Sequence, residues 1–371
     1  MEAGTLRDYL ALLHIPGVGS FTARQLIAYC GSAKDALQAK RDTLLRIPHV
    51  GPNLAESIVA ADPYRAADAE LEYIARHRIQ VMCATEDDYP PRLKGCPDAP
   101  LLLFYRSDRP FPVSEGKWIS IVGTRRATAY GREFVQRLVA GLARMGHQPV
   151  VVSGLAHGID GEAHRAALEH GCTTVGVLGH GLGHFYPAGH RELGQRMVSQ
   201  GGLLSEYPST LEADRSTFVQ RNRIVAGLSE ATVVVESDLM GGAMITAHRA
   251  LEYGREVLAL PGRARHDMNA GCNWLIKKHK AALIEEAEDL AGALGWDNPR
   301  RGAIEPVSLF YTPNEAEQAV IDIVREHAPI AIDELIRLAK APINTLNAML
   351  LNLEFHGLLR QLPGRCYEAL R

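Results

Sequence analysis

Apolar positions change their spacing along the chain, and the changes divide it into blocks. Up to about residue 80 they recur at helical intervals, and the run contains an internal echo. "IPGVGSFTARQLI" (15–27) is answered by "IPHVGPNLAESI" (47–58), each a turn signal followed by a helix-period run. Between Trp118 and about Leu290 the pattern becomes short, nearly all-apolar runs alternating with helix-length stretches. "WISIVG", "PVVVSG", "TTVGVLG", "GLLSEY", "ATVVVES" and "EVLALPG" are the strand candidates, separated by stretches such as "GREFVQRLVAGLARMG" and "AMITAHRALEYG". Apolar strands separated by helices predict a parallel sheet covered on both faces. The expected fold class is α/β, a Rossmann-like, doubly wound, mostly parallel sheet whose ligand sits at the carboxyl ends of the strands.

The flanking blocks add two smaller folds. Residues 1–80 are expected to form a helical domain of the helix-hairpin-helix or SAM-like kind, because the repeat resembles the unit in which backbone N–H groups between two helices grip a phosphate. The first copy keeps Gly17 and Gly19, which are possible DNA contacts. The second has His49 in place of the first glycine, and no close backbone approach is expected there. Residues 81–117, rich in proline and polar residues around "LLLFY", read as a connection with one or two strands of its own. They are grouped with the α/β block as one domain, 81–295. "GWDNPRRGAIEPVS" leads through a linker, 296–310, to residues 311–371, whose order helix, helix, helix, hairpin resembles a winged helix.

Composition narrows the functional classes. The formal net charge of -3 on 371 residues carries no general footprint of nucleic-acid binding, so any basic site must be local. Six cysteines without a C-x-x-C pair or zinc-like spacing predict neither a disulfide framework nor a structural metal. With no secretory pattern at the start and no apolar stretch of about 18 residues, a soluble, cytosolic protein without a membrane segment is expected.

The chemistry gathers at the strand ends, where "VGTRRATAYG", "VSGLAHGIDGEAH", "LGHGLGHFYP" and "LPG" place glycines that let a backbone approach a ligand. A nucleotide cofactor is not expected: Gly179, Gly181 and Gly183 give G-x-G-x-G rather than G-x-G-x-x-G, and no Walker sequence is present. His157, Asp160 and His164 have the spacing of a metal or acid–base face. Without a further ligand nearby they read as structural, Asp160 capping a helix and His164 satisfying a buried backbone group. No catalytic residue and no metal site are expected.

"STFVQRNRIVAGLS" (216–229) opens a helix with Arg215 just ahead of it. Arginines at the positive end of a helix macrodipole are misplaced unless an anion offsets them. Phe218, Arg221, Ile224, Val225 and Leu228 share one side of the helix, and Arg223 points nearly opposite. Arg221 reads as a structural arginine with Glu206 or Glu236 as partner. Arg215, Phe218 and Arg223 are left on the rim of the crevice. Basic groups spread along a groove around an aromatic ring suit a nucleic-acid strand.

The segments "IVGTRRATAYG", "VSGLAHGIDGEAH", "LGHGLGHFYP", "LLSEYP", "STFVQRNRIVAGLS", "VVVESDLMGGAMITAHRALEYGREVLALPG" and "GCNWLI" occur in the order and spacing of the DprA/Smf family (DNA-processing protein A), which this chain resembles from about 118 to 285. The resemblance implies a homodimer that binds single-stranded DNA in a basic pocket. It also implies protection of incoming strands and loading of the RecA recombinase during natural transformation. Arg125, Arg215 and Phe218 then stand at DNA-contacting positions, and Arg221, Asn222 and Arg223 match the family's R-N-R signature. Arg126 and Gly154, in the adjoining strand-end turns, complete the expected DNA-binding set. Three departures touch that region: Gly183 stands where an aspartate is usual, His190 where an asparagine is common, and "GGAMITA" lacks the serines of "SGSLITA".

The alternative is a nucleotide phosphoribohydrolase-like enzyme on a similar α/β fold. "GGAMITAHRA" has its glycines, but Ala247 and His248 follow Thr246 where a glutamate is expected. In the C-terminal block, the helix that a winged helix often presents to DNA, "PINTLNAMLLNLEFHG", has no Lys or Arg, and residues 311–371 hold six basic against eight acidic groups. A protein-contact or regulatory role is expected for it.

Overall fold

In a computed structural model of the chain, residues 3–113, 116–264, 266–296, 313–339, 341–356, 358–362 and 366–369 are described. They fall into two compact units, Met1–Asp297 and Asn298–Arg371. The expected linker, 296–310, lies outside the described residues beyond Trp296.

The first unit is built on nine strands: β1 (Gln80–Cys83), β2 (Leu102–Arg106), β3 (Trp118–Gly123), β4 (Val150–Ser153), β5 (Thr174–Val177), β6 (Gly202–Ser205), β7 (Ala231–Val235), β8 (Glu256–Ala259) and β9 (Ala282–Leu283). Their order across the sheet is β1-β2-β6-β5-β4-β3-β7-β8-β9. All pairs from β6 to β9 in that order are parallel, and each of the six expected apolar runs supplies one strand. From β3 the chain lays β4, β5 and β6 to one side, then returns to lay β7, β8 and β9 on the other. The connections therefore diverge at β3 and β7 and leave a crevice beyond their carboxyl ends.

Residues 81–117 are more than a connection. β2 pairs antiparallel with β6 and with β1, so this block extends the sheet. Leu102 to Tyr105 are all buried. Backbone groups buried with those side chains need hydrogen-bond partners, and the open edge of β6 supplies them.

Six helices precede the sheet: Ala3–Leu13, Ser20–Cys30, Ala33–Leu37, Arg41–Leu44, Pro52–Ala60 and Tyr64–His77. The two repeat copies turn alike. Gly17 has φ 87° and His49 takes φ 67° at the equivalent position, so the histidine accepts the left-handed turn. That conformation costs a side-chain-bearing residue about 1–2 kcal/mol. The His49 ring meets Phe21 edge-on, with centroids 5.9 Å apart. Leu10, Leu26, Leu44 and Ile58 of these helices belong to the same buried cluster as Leu102, Phe104, Leu155, Leu178 and Leu203 of the sheet and its loops.

The second unit has helices Glu315–His327, Ile332–Ala339 and Ile343–Phe355 and the hairpin Leu359–Leu362 with Cys366–Ala369. A two-residue strand, Ile330–Ala331, also pairs with the last strand, too short to leave a period in the sequence. Val320, Val324, Leu335, Leu346, Leu350 and Leu353 fill its own core. Asn314 and Glu317 form a reciprocal capping box at its first helix.

Candidate nucleic-acid interface

The crevice beyond β3 and β7 is a cleft of about 810 Å³, and Arg125, Arg126, Gly154, Arg215, Phe218, Arg221 and Asn222 all line it. Arg223, Gly17 and Gly19 are not among its lining residues. The long helix Arg215–Leu228 forms one wall. Its start explains part of the charge puzzle. Asp214 is the N-cap, accepting from the Ser216 backbone N–H at 2.8 Å, while the Asp214 N–H donates to Thr217 Oγ1 at 3.2 Å. Hydrogen bonds from the Ser216 hydroxyl and from the Ser216 backbone N–H hold the Asp214 carboxyl below its usual range. One anion is therefore built into the helix start.

Two arginines are also neutralised from within. Arg223 Nη2 donates to Glu206 Oε2 at 2.5 Å, with Asp98 3.9 Å from Arg223 Nε, and the arginine side chain is 15% exposed. This corrects the rim position expected for Arg223. The far side of the helix is covered by the 81–117 block, whose Leu93 and Cys96 close on Gly227. Arg221 is buried and donates through Nη1 to the Val177 carbonyl. Its charge partner is Asp160, not Glu206 or Glu236 as expected. Glu236 instead accepts from the Thr128 N–H at 2.9 Å and from the Thr128 hydroxyl. Burial pushes Arg221 down and Asp160 up, and each opposes the shift of the other. Arg221 Nε is buried and, among the described residues, has no hydrogen-bond partner.

Arg125, Arg126 and Arg215 are exposed, and among the described residues no carboxylate forms an ion pair with them. The Arg125 guanidinium lies 5.9 Å from the Phe218 ring centroid. Tyr186 also packs near this ring, centroids 5.4 Å apart and planes inclined by 42°. Sequence reasoning passed over Tyr186, although it stands in the quoted turn "LGHGLGHFYP". Phe218 reaches its position because Gly179 faces it: a Cβ there would fall 2.6 Å from Phe218 Cδ1.

The departures fall at distinct places. Gly183 abuts the loop after β6, where a Cβ would lie 2.5 Å from the Ser209 carbonyl oxygen. His190 Nδ1 donates to the Leu155 carbonyl at 3.0 Å. Gly241, Gly242 and Ala243 line the cleft itself.

His157, Asp160 and His164 do not converge on a ligand. His164 is buried and donates through Nδ1 to the Thr174 hydroxyl at 2.7 Å, a side-chain group rather than the backbone group expected. Thr174 passes its own proton to the Val151 carbonyl. The His157 ring packs 4.8 Å from His190. Asp160 is not a cap, since Gly158 occupies that position, and its carboxylate accepts from the Ala156 N–H at 3.4 Å. Among the described residues no group of three His, Cys, Asp or Glu side chains could hold a metal ion, and no helix is long and apolar enough to cross a membrane.

Comparison with known proteins gives three consistent matches. The family model described as DNA recombination-mediator protein A matches residues 80–295, a DprA winged helix domain matches 311–365, and a helix-hairpin-helix motif matches 9–61. The putative DNA processing protein DprA of Mycobacterium tuberculosis is 36% identical over 308 residues, which cover 78% of this chain and 77% of that protein. The crystal structure of DNA processing protein A from Streptococcus pneumoniae superposes with a TM-score of 0.65 at 30% identity, covering 77% of this chain and 97% of that one. The Helicobacter pylori protein, solved for its single-stranded DNA binding mode, gives a TM-score of 0.53 at 28% identity over 60% of this chain and 98% of that one.

Proposed function

Because the chain belongs to the DNA recombination-mediator protein A family, we propose that it is a non-enzymatic DNA-processing protein that grips single-stranded DNA in the cleft at the ends of β3 and β7. The observation that carries this reading is the set of exposed arginines, Arg125, Arg126 and Arg215, that among the described residues have no carboxylate partner, around the ring pair Phe218 and Tyr186. Arginines so spread hold successive phosphates, and the rings offer a face on which a base stacks. Arg221 is a buried cation in the floor, while Arg223 keeps the helix in place. The single-strand binding described for the Helicobacter pylori relative supports the same assignment.

In the cell this activity protects strands entering during natural transformation, and a cytosolic homodimer passes them to the RecA recombinase. Gly17 and Gly19, at the repeat turn outside the cleft lining, are a second and weaker DNA contact. The winged helix meets a protein, since its third helix offers no cation to a phosphate. The hydrolase alternative finds little support in the cleft: Asp160 is the buried carboxylate that lines it, and it is engaged by Arg221.

A titration of single-stranded and duplex oligonucleotides at two salt concentrations tests the reading. Single strands should bind more tightly, and affinity should fall by about 0.7 log units per log unit of salt for each arginine–phosphate contact. Absence of strand binding at low salt, or release of free base from nucleoside monophosphates, would overturn it.

A further inference from the structure

The helix Tyr64–His77 turns Ala67 and Glu70 inward, so a carboxylate stands where the helix needs an apolar residue. Glu70 is 4% exposed, and among the described residues no cation forms an ion pair with it. A buried carboxylate is costly unless hydrogen-bonded. Among the described residues, its hydrogen-bond donors all come from Ser209, in the loop after β6. Ser209 N–H lies 2.9 Å from Oε1 and 3.0 Å from Oε2, and the Ser209 hydroxyl donates to Oε2 at 2.7 Å.

Ser209 is the point at which two loops of the cleft meet. Its carbonyl accepts from the Gly183 N–H at 3.1 Å, and the Leu211 carbonyl accepts from the Gly181 N–H at 2.9 Å. There is no slack between these loops: a Cβ on Gly181 would fall 1.9 Å from the Pro208 carbonyl oxygen. One loop runs on to Tyr186 and the other to Arg215 and the helix carrying Phe218. The Thr217 hydroxyl closes the circuit on the Gly179 carbonyl at 2.5 Å.

We infer that Glu70 is a positioning residue for the cleft, through which the N-terminal helices set the distance between Tyr186 and Phe218. The inference rests on the strand-binding reading above and gives those helices a part in it without touching the strand. Removing the carboxylate frees Ser209 and lets the two loops separate, so the rings no longer present one face to a base. The exposed arginines are not directly involved and keep their phosphate contacts.

The experiment compares Glu70→Gln and Ser209→Ala in the full chain, with Asp68→Asn as a control. Asp68 lies on the same helix, in an exposed pair with Arg7. Affinity for a fluorescent single-stranded oligonucleotide, its salt slope and the melting temperature are measured for each, alone and combined with Phe218→Ala. The two variants should weaken binding about three- to thirtyfold at an unchanged salt slope, whereas Asp68→Asn should bind as wild type. Their effect should shrink toward none once Phe218 is already alanine. Full additivity with Phe218→Ala, or unchanged affinity in both variants, would overturn the inference. If Glu70→Gln does not fold, Ser209→Ala, which removes a hydroxyl alone, decides it by the same criteria. Should Phe218→Ala and Arg215→Glu leave strand binding intact, the cleft reading itself fails. If those two weaken binding while neither Glu70→Gln nor Ser209→Ala does, the positioning role alone is lost.

Discussion

Arg221 lies across the backbone of Gly154, so closely that a Cβ on the glycine would fall 2.4 Å from Nη1 and 2.5 Å from Nη2. The guanidinium is buried and bonded to the Val177 carbonyl, so displacing it costs that hydrogen bond. Gly154→Ala should therefore destabilise the fold by about 1–3 kcal/mol, as overpacking does, and weaken strand binding by displacing a cation in the cleft floor. Urea denaturation and a strand titration on the same preparation check this. An alanine variant of wild-type stability and affinity would show that the contact yields freely.

Arg215 and Arg223, eight residues apart on one helix, should fail in opposite ways. Arg215→Glu should lower strand affinity and reduce the salt slope by about 0.7, with a stability change within about 0.5 kcal/mol. Arg223→Ala leaves Glu206 buried without its cation and should destabilise the fold by about 3–5 kcal/mol. Where the variant still folds, its salt slope should match wild type. Equal slopes for Arg215→Glu and wild type would remove Arg215 from the phosphate path.

For the ring pair the expected loss is in binding. Phe218→Ala and Tyr186→Ala should each weaken strand binding by about 1–3 kcal/mol, the worth of a stacked base. Tyr186 is 47% exposed, so its removal should barely shift the melting temperature. Phe218 is half-buried, and its loss should destabilise by less than the roughly 3–5 kcal/mol of a core phenylalanine. Large melting shifts with binding retained would assign the rings to packing.

His164 makes stability depend on pH. Burial holds its imidazole down at about 3, against an ordinary value of 6.5. The folded protein keeps it neutral while the unfolded chain protonates it, so its contribution is complete above about pH 6.5 and is lost as pH falls toward 3. In that window each pH unit costs up to about 1.4 kcal/mol. Melting curves of wild type and His164→Gln between pH 7.5 and 4.5, at roughly half-unit steps, should converge on acidification. Parallel curves would mean that His164 is protonated without penalty.

Periodicity carried the sheet because strands buried on both faces are nearly all apolar, as β3, β4 and β7 are, each with a single buried hydroxyl (Ser120, Ser153 and Thr232). It said less where a partner decides. β1 shows only the burial pattern of a partly covered edge, and "LLLFY" is a strand only because β6 offers an edge to it. The same holds at the cleft. Glycine turns and the R-N-R run pointed to the right crevice, but a helical wheel cannot tell solvent from the 81–117 block, and Arg223 was misplaced for that reason. Asp214 was legible as a cap, one residue ahead of the helix, and would have supplied an anion at once. Glu70 also left a trace, a charge at an inward helical position three residues after Ala67. Its meeting with Ser209, 139 residues later in the chain, did not.

The cluster that joins Leu10, Leu26 and Ile58 to Phe104 and Leu203 bears on how the chain can be cut. A fragment beginning near residue 80 would carry a bare oily flank on β2 and β6, and the six leading helices alone would lack the apolar surface that completes their buried cluster. The first 297 residues should thus melt in a single transition. A protease should release no stable helical piece from the front, and expression trials that divide the chain there should yield aggregates. What looks like a detachable module in the sequence is, for folding, one wall of a shared room.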